Sequence, residues 1–147
     1  MKLVKMTENH IPQMAELEKI CFSMPWSEDM IRSELENPSC LYLAATDGDI
    51  LVGYIGVQTV LDEGYINNVA VRPEYRRRGI ASALISLLIE QGREIGLAFL
   101  TLEVRASNEA AIAVYEKLGF TPVGRRKNYY EKPREDAILM TIFFKKD

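Results

Sequence analysis

The chain has 147 residues, of which 48% are hydrophobic and 27% charged, and a formal net charge of -3. That balance fits one globular domain over residues 1–147, and the mild acidity excludes a general nucleic-acid binder, which needs a clustered basic face. No apolar run approaches the ~20 residues of a membrane span, and Cys21 and Cys40 fit no metal or C-x-x-C spacing, so the expectation is a soluble, cytoplasmic protein without a disulfide framework.

In chain order, Leu3 to Met6 predicts a first strand, and Thr7 caps a helix carrying Ile11, Met14, Leu17 and Ile20 at helical spacing. His10, the only histidine, falls at the start of that helix and is read as exposed; a His-rich metal site is ruled out and no metal is expected. After Pro25, Ser27-Glu28-Asp29 opens a second helix, its hydroxyl cap followed by two acids that suit the positive helix end, and Asn37-Pro38 stops it. Cys40 to Thr46, a turn at Asp47-Gly48-Asp49 and Ile50 to Leu61 form a hairpin. Tyr65 to Val71 is the next strand. Ile80 to Glu94 is a helix with an apolar stripe of Ala83, Leu84, Leu87, Leu88 and Ile95, stopping near Gly96. Phe99 to Val104 is a strand, Asn108 to Leu118 a helix closed by Gly119, and Thr121 to Arg126 and Ala137 to Phe144 an antiparallel pair joined by a polar loop. The elements alternate without a repeat or linker, so the predicted architecture is α/β with a single mixed sheet.

Between the Tyr65 to Val71 strand and the Ile80 helix stands Arg76-Arg77-Arg78-Gly79-Ile80-Ala81. Unpaired N–H groups at a helix start, a glycine and three guanidinium groups suit a diphosphate. The same residues also fit a plain strand, basic turn and helix. A Walker-type loop is excluded, since no Gly-Lys-Ser/Thr is present, and so is the dinucleotide pattern G-x-G-x-x-G.

Two further residues stand out. Glu103 interrupts the apolar strand Leu102-Glu103-Val104, where an acid is depleted unless it has a partner or a function. It is either paired with Arg105 or solvated at an edge, or it is a general base whose pKa partial desolvation raises. Tyr115 shares a helix face with Ala111 and Leu118 and is either a core aromatic or a proton donor aimed into a cleft.

Val69-Ala70-Val71-Arg72-Pro73-Glu74-Tyr75-Arg76-Arg77-Arg78-Gly79-Ile80-Ala81, then Leu102-Glu103-Val104-Arg105-Ala106-Ser107-Asn108, Ala111, Tyr115 and Gly119-Phe120 together resemble the GNAT family of N-acetyltransferases over nearly the whole chain. Within it, Cys21 to Ser27, Leu61-Asp62-Glu63, Asn128-Tyr129-Tyr130 and Glu135-Asp136-Ala137 resemble the bacterial enzymes that acetylate the N-terminal alanine of a small-subunit ribosomal protein. The resemblance implies the GNAT fold, a mostly antiparallel mixed sheet with a splayed parallel strand pair and about four helices. It implies acetyl-CoA as co-substrate, held by Val69, Ala70, Val71, the loop Arg76, Arg77, Arg78, Gly79, Ile80, Ala81 and Ser82, and Asn108. Glu103 is then the proton acceptor and Tyr115 the proton donor, while the Phe22 to Ser27 and Asn128 to Asp136 loops wall the acceptor site, with Tyr129 and Tyr130 as its substrate-binding aromatics. Cys21 is read as a helix-end or core residue, not a nucleophile. Glu63, Glu135 and Asp136 are either attractors of a basic peptide or solvated surface charge. The implied partner is a peptide N-terminus rather than nucleic acid or membrane. A family member acetylating small amines and a non-catalytic acetyl-CoA-binding module are the competing readings.

Overall fold

Alternating apolar residues build seven strands that join in one sheet, in the computed structural model that describes residues 1–144. The last three residues of the expected domain lie outside the described residues. The strands are β1 (Lys2–Lys5), β2 (Cys40–Asp47), β3 (Ile50–Val60), β4 (Glu63–Val71), β5 (Phe99–Arg105), β6 (Thr121–Glu131) and β7 (Arg134–Phe143). Their order is β1-β2-β3-β4-β5-β7-β6, antiparallel throughout except for the parallel neighbours β4 and β5. The helices are α1 (Ile11–Cys21), α2 (Glu28–Glu36), α3 (Ile80–Glu94) and α4 (Glu109–Lys117). Among the described residues no helix is long and apolar enough to cross a membrane.

Local chemistry accounts for the helix ends. The Ser27 hydroxyl accepts from Met30 N at 3.2 Å, and the Asn108 side chain accepts from Ala111 N at 3.2 Å, so both caps satisfy an otherwise unpaired first-turn donor. Thr7 caps a short 3-10 turn, Glu8–His10, rather than α1 itself, and half-buried His10 takes the Thr7 N–H on its Nδ1. The apolar faces are rotated from those the sequence suggests. On α3 the buried residues are Ile80, Leu84, Ile85, Leu88 and Ile89, whereas Ala83 and Ile95 are exposed; on α1 it is Glu18, not Ile20, that turns inward.

One core lies between the sheet and α3, joining Ile55, Leu84, Leu88, Leu100 and Leu102, with Tyr115 and Ile112 of α4 packed against it. The other lies between the opposite face and α1 and α2, joining Met14, Leu17, Ile31, Tyr42 and Tyr54. Each fully buried aliphatic side chain stabilises this sandwich by about 1.5–3 kcal/mol.

The pairing of β4 with β5 stops after three residues, Glu63 with Phe99, Gly64 with Leu100 and Tyr65 with Thr101. A bulge on the other edge of β4 explains where the strands part. Gly56 of β3 faces Asn68 while Val57 faces Ile66, which leaves Asn67 as the extra residue; such an insertion bends its strand and increases its twist. Gly56 is required there because a Cβ would lie 2.2 Å from a ring carbon of buried Tyr42.

The polar loop expected between Arg126 and Ala137 is instead mostly strand, since β6 and β7 continue to Glu131 and from Arg134. Side chains lock this hairpin. Asp136 accepts from Asn128 N at 2.9 Å and pairs with Arg125 at 2.7 Å; Glu135 accepts from Ser107 N at 2.6 Å and pairs with Arg105 at 3.3 Å. Both carboxyls are held below their ordinary pKa, Asp136 mainly by the Asn128 N–H and Glu135 mainly by its hydrogen bond to Ser107. Both carboxylates are therefore engaged in holding the hairpin.

Gly56→Ala should lower stability by about 1–3 kcal/mol through overpacking against Tyr42, read as a lower melting temperature. Because the Glu135 carboxyl is depressed in the folded state, its stabilisation is present above the ordinary value of 4.5 and is lost as pH falls through the lower folded value. Denaturant titrations should therefore show Glu135→Gln less stable than the parent near neutral pH, with the difference vanishing on acidification below 4.5.

Candidate active site

Where β4 and β5 part, on the α1–α2 face of the sheet, an open cleft of about 810 Å³ is lined by Trp26, Glu34, Asn67, Asn68, Glu103 and Tyr129, among others. The loop after α1 supplies Trp26 and the β6–β7 hairpin supplies Tyr129, so both segments expected to wall the site reach it.

Glu103 points to this cleft because Leu100, Leu102 and Val104, alternating with it on β5, face the α3 core. Its partners differ from the expected Arg105. The Tyr129 hydroxyl donates to Glu103 Oε2 at 3.0 Å and Arg126 Nε lies 3.5 Å from Oε1, while Arg105 is engaged by Glu135. A carboxylate has about four acceptor positions, so two contacts leave capacity for an incoming amine. The Tyr129 hydroxyl has a raised pKa, first from desolvation and then from its bond to Glu103, and so stays a donor at neutral pH. Tyr130 packs edge-to-face on Tyr129 at 5.1 Å and beneath the Arg105 guanidinium at 4.3 Å. It is not part of the cleft lining, but it interacts electrostatically with both Glu103 and Tyr115, and burial pushes its pKa up to about 12.

Tyr115 lies on the other face of the sheet. It packs on the core that also receives Val69 and Val71, with Phe120 at 6.0 Å, and burial raises its pKa. Its hydroxyl has no hydrogen-bond partner among the described residues. Glu103 and Tyr115 thus flank the sheet from opposite sides, beyond the point where the pairing of β4 with β5 stops.

The backbone edge of that gap follows from ladder alternation. Arg72 N donates to Val52 O at 2.8 Å, which assigns Arg72 and Ala70 to the hydrogen-bonded set against β3. Val69 and Val71 fall in the other set, with N–H and C=O directed away from β3 into the gap, whereas the Ala70 backbone is spent on β3. The freed Val71 carbonyl accepts from Arg76 Nε at 3.2 Å and from the Cys21 thiol at 3.6 Å. Half-buried Cys21 also contacts Arg76 Nη2 at 3.6 Å and sits at the end of α1, away from the cleft lining.

Arg77 and Gly79 both adopt left-handed backbone, at φ 64° and 76°, directly before α3. Glycine is wanted at 79 for that conformation rather than for space, since a Cβ there would meet nothing within 4 Å. The turn aims the N–H groups of Ile80, Ala81 and Ser82 outward at the positive end of a 15-residue helix. Arg76, Arg77 and Arg78 are exposed around it, and Arg78 rests on Tyr75 at 4.9 Å. Asn108, exposed at the α4 cap, follows the C-terminal end of β5 as the arginine loop follows that of β4; the two strands being parallel, both helix starts lie at one end of the gap. Among the described residues no cluster of three or more His, Cys, Asp or Glu is arranged for a metal ion.

Sequence reasoning missed Glu18 and Glu34. Glu18 is 1% exposed and accepts from Trp26 N at 2.9 Å, Asn68 Nδ2 at 3.3 Å and the Tyr54 hydroxyl. Glu34 accepts from the Tyr42 hydroxyl at 2.9 Å. The signal was present for Glu18, which stands seven residues after Ile11 and four after Met14, on the apolar face of α1.

Residues 11–120 match the model of the Acetyltransferase (GNAT) family. The chain is 40% identical over 134 residues to the ribosomal protein bS18-alanine N-acetyltransferase of Escherichia coli strain K12, covering 90% of each protein. The crystal structure of the ribosomal-protein-S18-alanine N-acetyltransferase from Escherichia coli superposes with a TM-score of 0.91 at 36% identity, over 99% of this chain and 95% of that one. Arabidopsis thaliana NAA60, solved in complex with acetyl-CoA, shares the fold with a TM-score of 0.88 at 20% identity, over 97% and 98% of the two chains. The seven-stranded sheet with its splayed parallel pair, the family match and these likenesses together show that the chain belongs to the GNAT acetyltransferase family.

Proposed function

We propose that the chain, acting as one domain, is an acetyl-CoA-dependent N-terminal acetyltransferase whose acceptor is the N-terminal alanine of ribosomal protein bS18, and whose place of action is accordingly the cytoplasm. The observation that carries this reading is the carboxylate of Glu103 in an open cleft beside a strand gap into which the Val69 N–H is directed. The acceptor is taken from the 40% identical Escherichia coli enzyme, and acetyl-CoA from the chemistry of the loop and gap, with NAA60 as a fold-level parallel.

The residues suit the co-substrate. Its diphosphate belongs on the N–H groups of Ile80, Ala81 and Ser82 with Arg76, Arg77, Arg78 and Gly79, and its pantetheine arm in the gap along Val69 to Val71, with Asn108 beside it. When bound, acetyl-CoA supplies an acyl group activated as a thioester. An α-amine has a pKa near ~7.7–8.0 and is mostly protonated at neutral pH, so it needs a base before it can attack. Glu103 accepts that proton, directly or through water. The Val69 N–H donates to the oxygen on which negative charge develops. Tyr115 donates to the departing sulfur. Because its phenol is raised above ~10 while a thiol titrates near ~8.5, its contribution is a hydrogen bond that stabilises the thiolate as the bond breaks rather than a complete downhill transfer. Tyr129 orients the Glu103 carboxylate and, with Tyr130, borders the incoming peptide.

Coenzyme A release should be rapid with a peptide bearing the bS18 N-terminus and absent when that amine is already acetylated; equal turnover of polyamines or other small amines would replace the peptide reading, and none with any amine would leave a binding module. Glu103→Gln should lower kcat by about 10²–10⁴, the usual worth of a general base, with acetyl-CoA KM changed less than about twofold. Full activity in that variant would remove Glu103 from the role.

A further inference from the structure

Glu18 is a buried acid that the chemistry above does not use. Sealed between α1 and the sheet at 1% exposure, it collects three donors from three separate parts of the chain. Its Oε1 holds Trp26 N at 2.9 Å, at the end of the loop that leaves α1; its Oε2 holds the Tyr54 hydroxyl on β3 and Asn68 Nδ2, at 3.3 Å, on β4. Removing a carboxylate from water is costly, and an uncompensated one is not tolerated, so this convergence of donors is what allows an acid in the position. A Leu at this point of the apolar face would avoid the cost. The acid gains something a Leu cannot, because two of its three partners, Trp26 and Asn68, line the cleft, and Asn68 directly precedes Val69.

We propose that Glu18 is a positioning residue for the acceptor, a buried clamp that fixes the Trp26 loop against the Asn68 segment of β4 and so sets the width of the cleft in front of Glu103. This rests on the reading of the cleft as the amine-acceptor site. Hydrogen bonds from one carboxylate to both walls make their separation a property of a single side chain, in place of two independently mobile surfaces. The acetyl-CoA loop lies outside the clamp, since none of the three partners belongs to it.

The test compares Glu18→Ala, Glu18→Gln and Asn68→Ala with the parent enzyme, using a bS18 N-terminal peptide and acetyl-CoA. Trp26 is the only tryptophan, so its emission reports the loop directly and independently of turnover. Glu18→Ala should raise peptide KM about tenfold or more, the order expected from a lost charge-assisted hydrogen bond, with acetyl-CoA KM within about twofold and Trp26 emission shifted to longer wavelength. Glu18→Gln keeps an acceptor for Trp26 N but presents N–H donors to Tyr54 and Asn68, so its peptide KM should fall between. Asn68→Ala should raise peptide KM and leave the emission unmoved. An unchanged peptide KM in all three variants, or equal rises in both KM values with unchanged emission, would contradict the clamp. If Glu18→Ala fails to fold, the other two variants decide between these outcomes. A parent enzyme that binds acetyl-CoA but does not acetylate the peptide would overturn the functional reading instead, and the Trp26 emission of the Glu18 variants would still test the clamp on the loop.

Discussion

The early parting of β4 and β5 is the constraint on which the rest of this structure depends. Parallel strands normally satisfy each other's backbone groups along their length, and here they do so for only three residues before the bulge at Asn67 bends β4 away. The unpaired edge that results would be a liability in an ordinary sheet. In this one it directs the N–H groups of Val69 and Val71 away from β3, with the Glu103 carboxylate on one face of the sheet and the Tyr115 phenol on the other. The bulge in turn needs Gly56, because Tyr42 lies against it, and Tyr42 is held by Glu34. Fold and site therefore share the same few contacts.

Two glutamates show how environment divides labour among identical groups. Glu103 keeps access to the cleft and, among the described residues, has two partners, the Tyr129 hydroxyl at 3.0 Å and the Arg126 guanidinium at 3.5 Å, which suits the base role proposed for it. Glu18 is sealed and takes three donors, with a pKa raised chiefly by desolvation and opposed by its Trp26 N–H contact, which suits a fixed scaffold element. On the hairpin, Glu135 and Asp136 take a third course, held below the ordinary range by N–H donors and arginines.

Much of this was legible in the sequence because it is local. The cap at Ser27, the hairpin turn at Asp47 to Asp49, the start of α3 after Gly79 and the element order all depend on neighbours within a few residues. The resemblance supplied what spacing could not, namely which acid and which tyrosine to single out. What was not legible depends on contacts between distant segments. The inward face of α3 was misjudged because the choice between Ala83 and Ile85 is made by the sheet it packs on, not by the helix. The hairpin from Arg126 to Ala137 looked like a loop because its polar residues are tied by Asn128–Asp136 and Arg105–Glu135 contacts that composition does not reveal. Glu103 found Arg126 rather than Arg105 for the same reason.

In the function proposed for this chain, the gap between β4 and β5 receives the acyl donor along Val69 and Val71. Amide hydrogen exchange at these two positions, followed with and without acetyl-CoA, addresses it directly. Both should exchange fast in the free protein and be clearly protected on binding, while Ala70, already bonded to β3, changes little. Protection confined to the Ile80 helix start, with Val69 and Val71 unaltered, would contradict it.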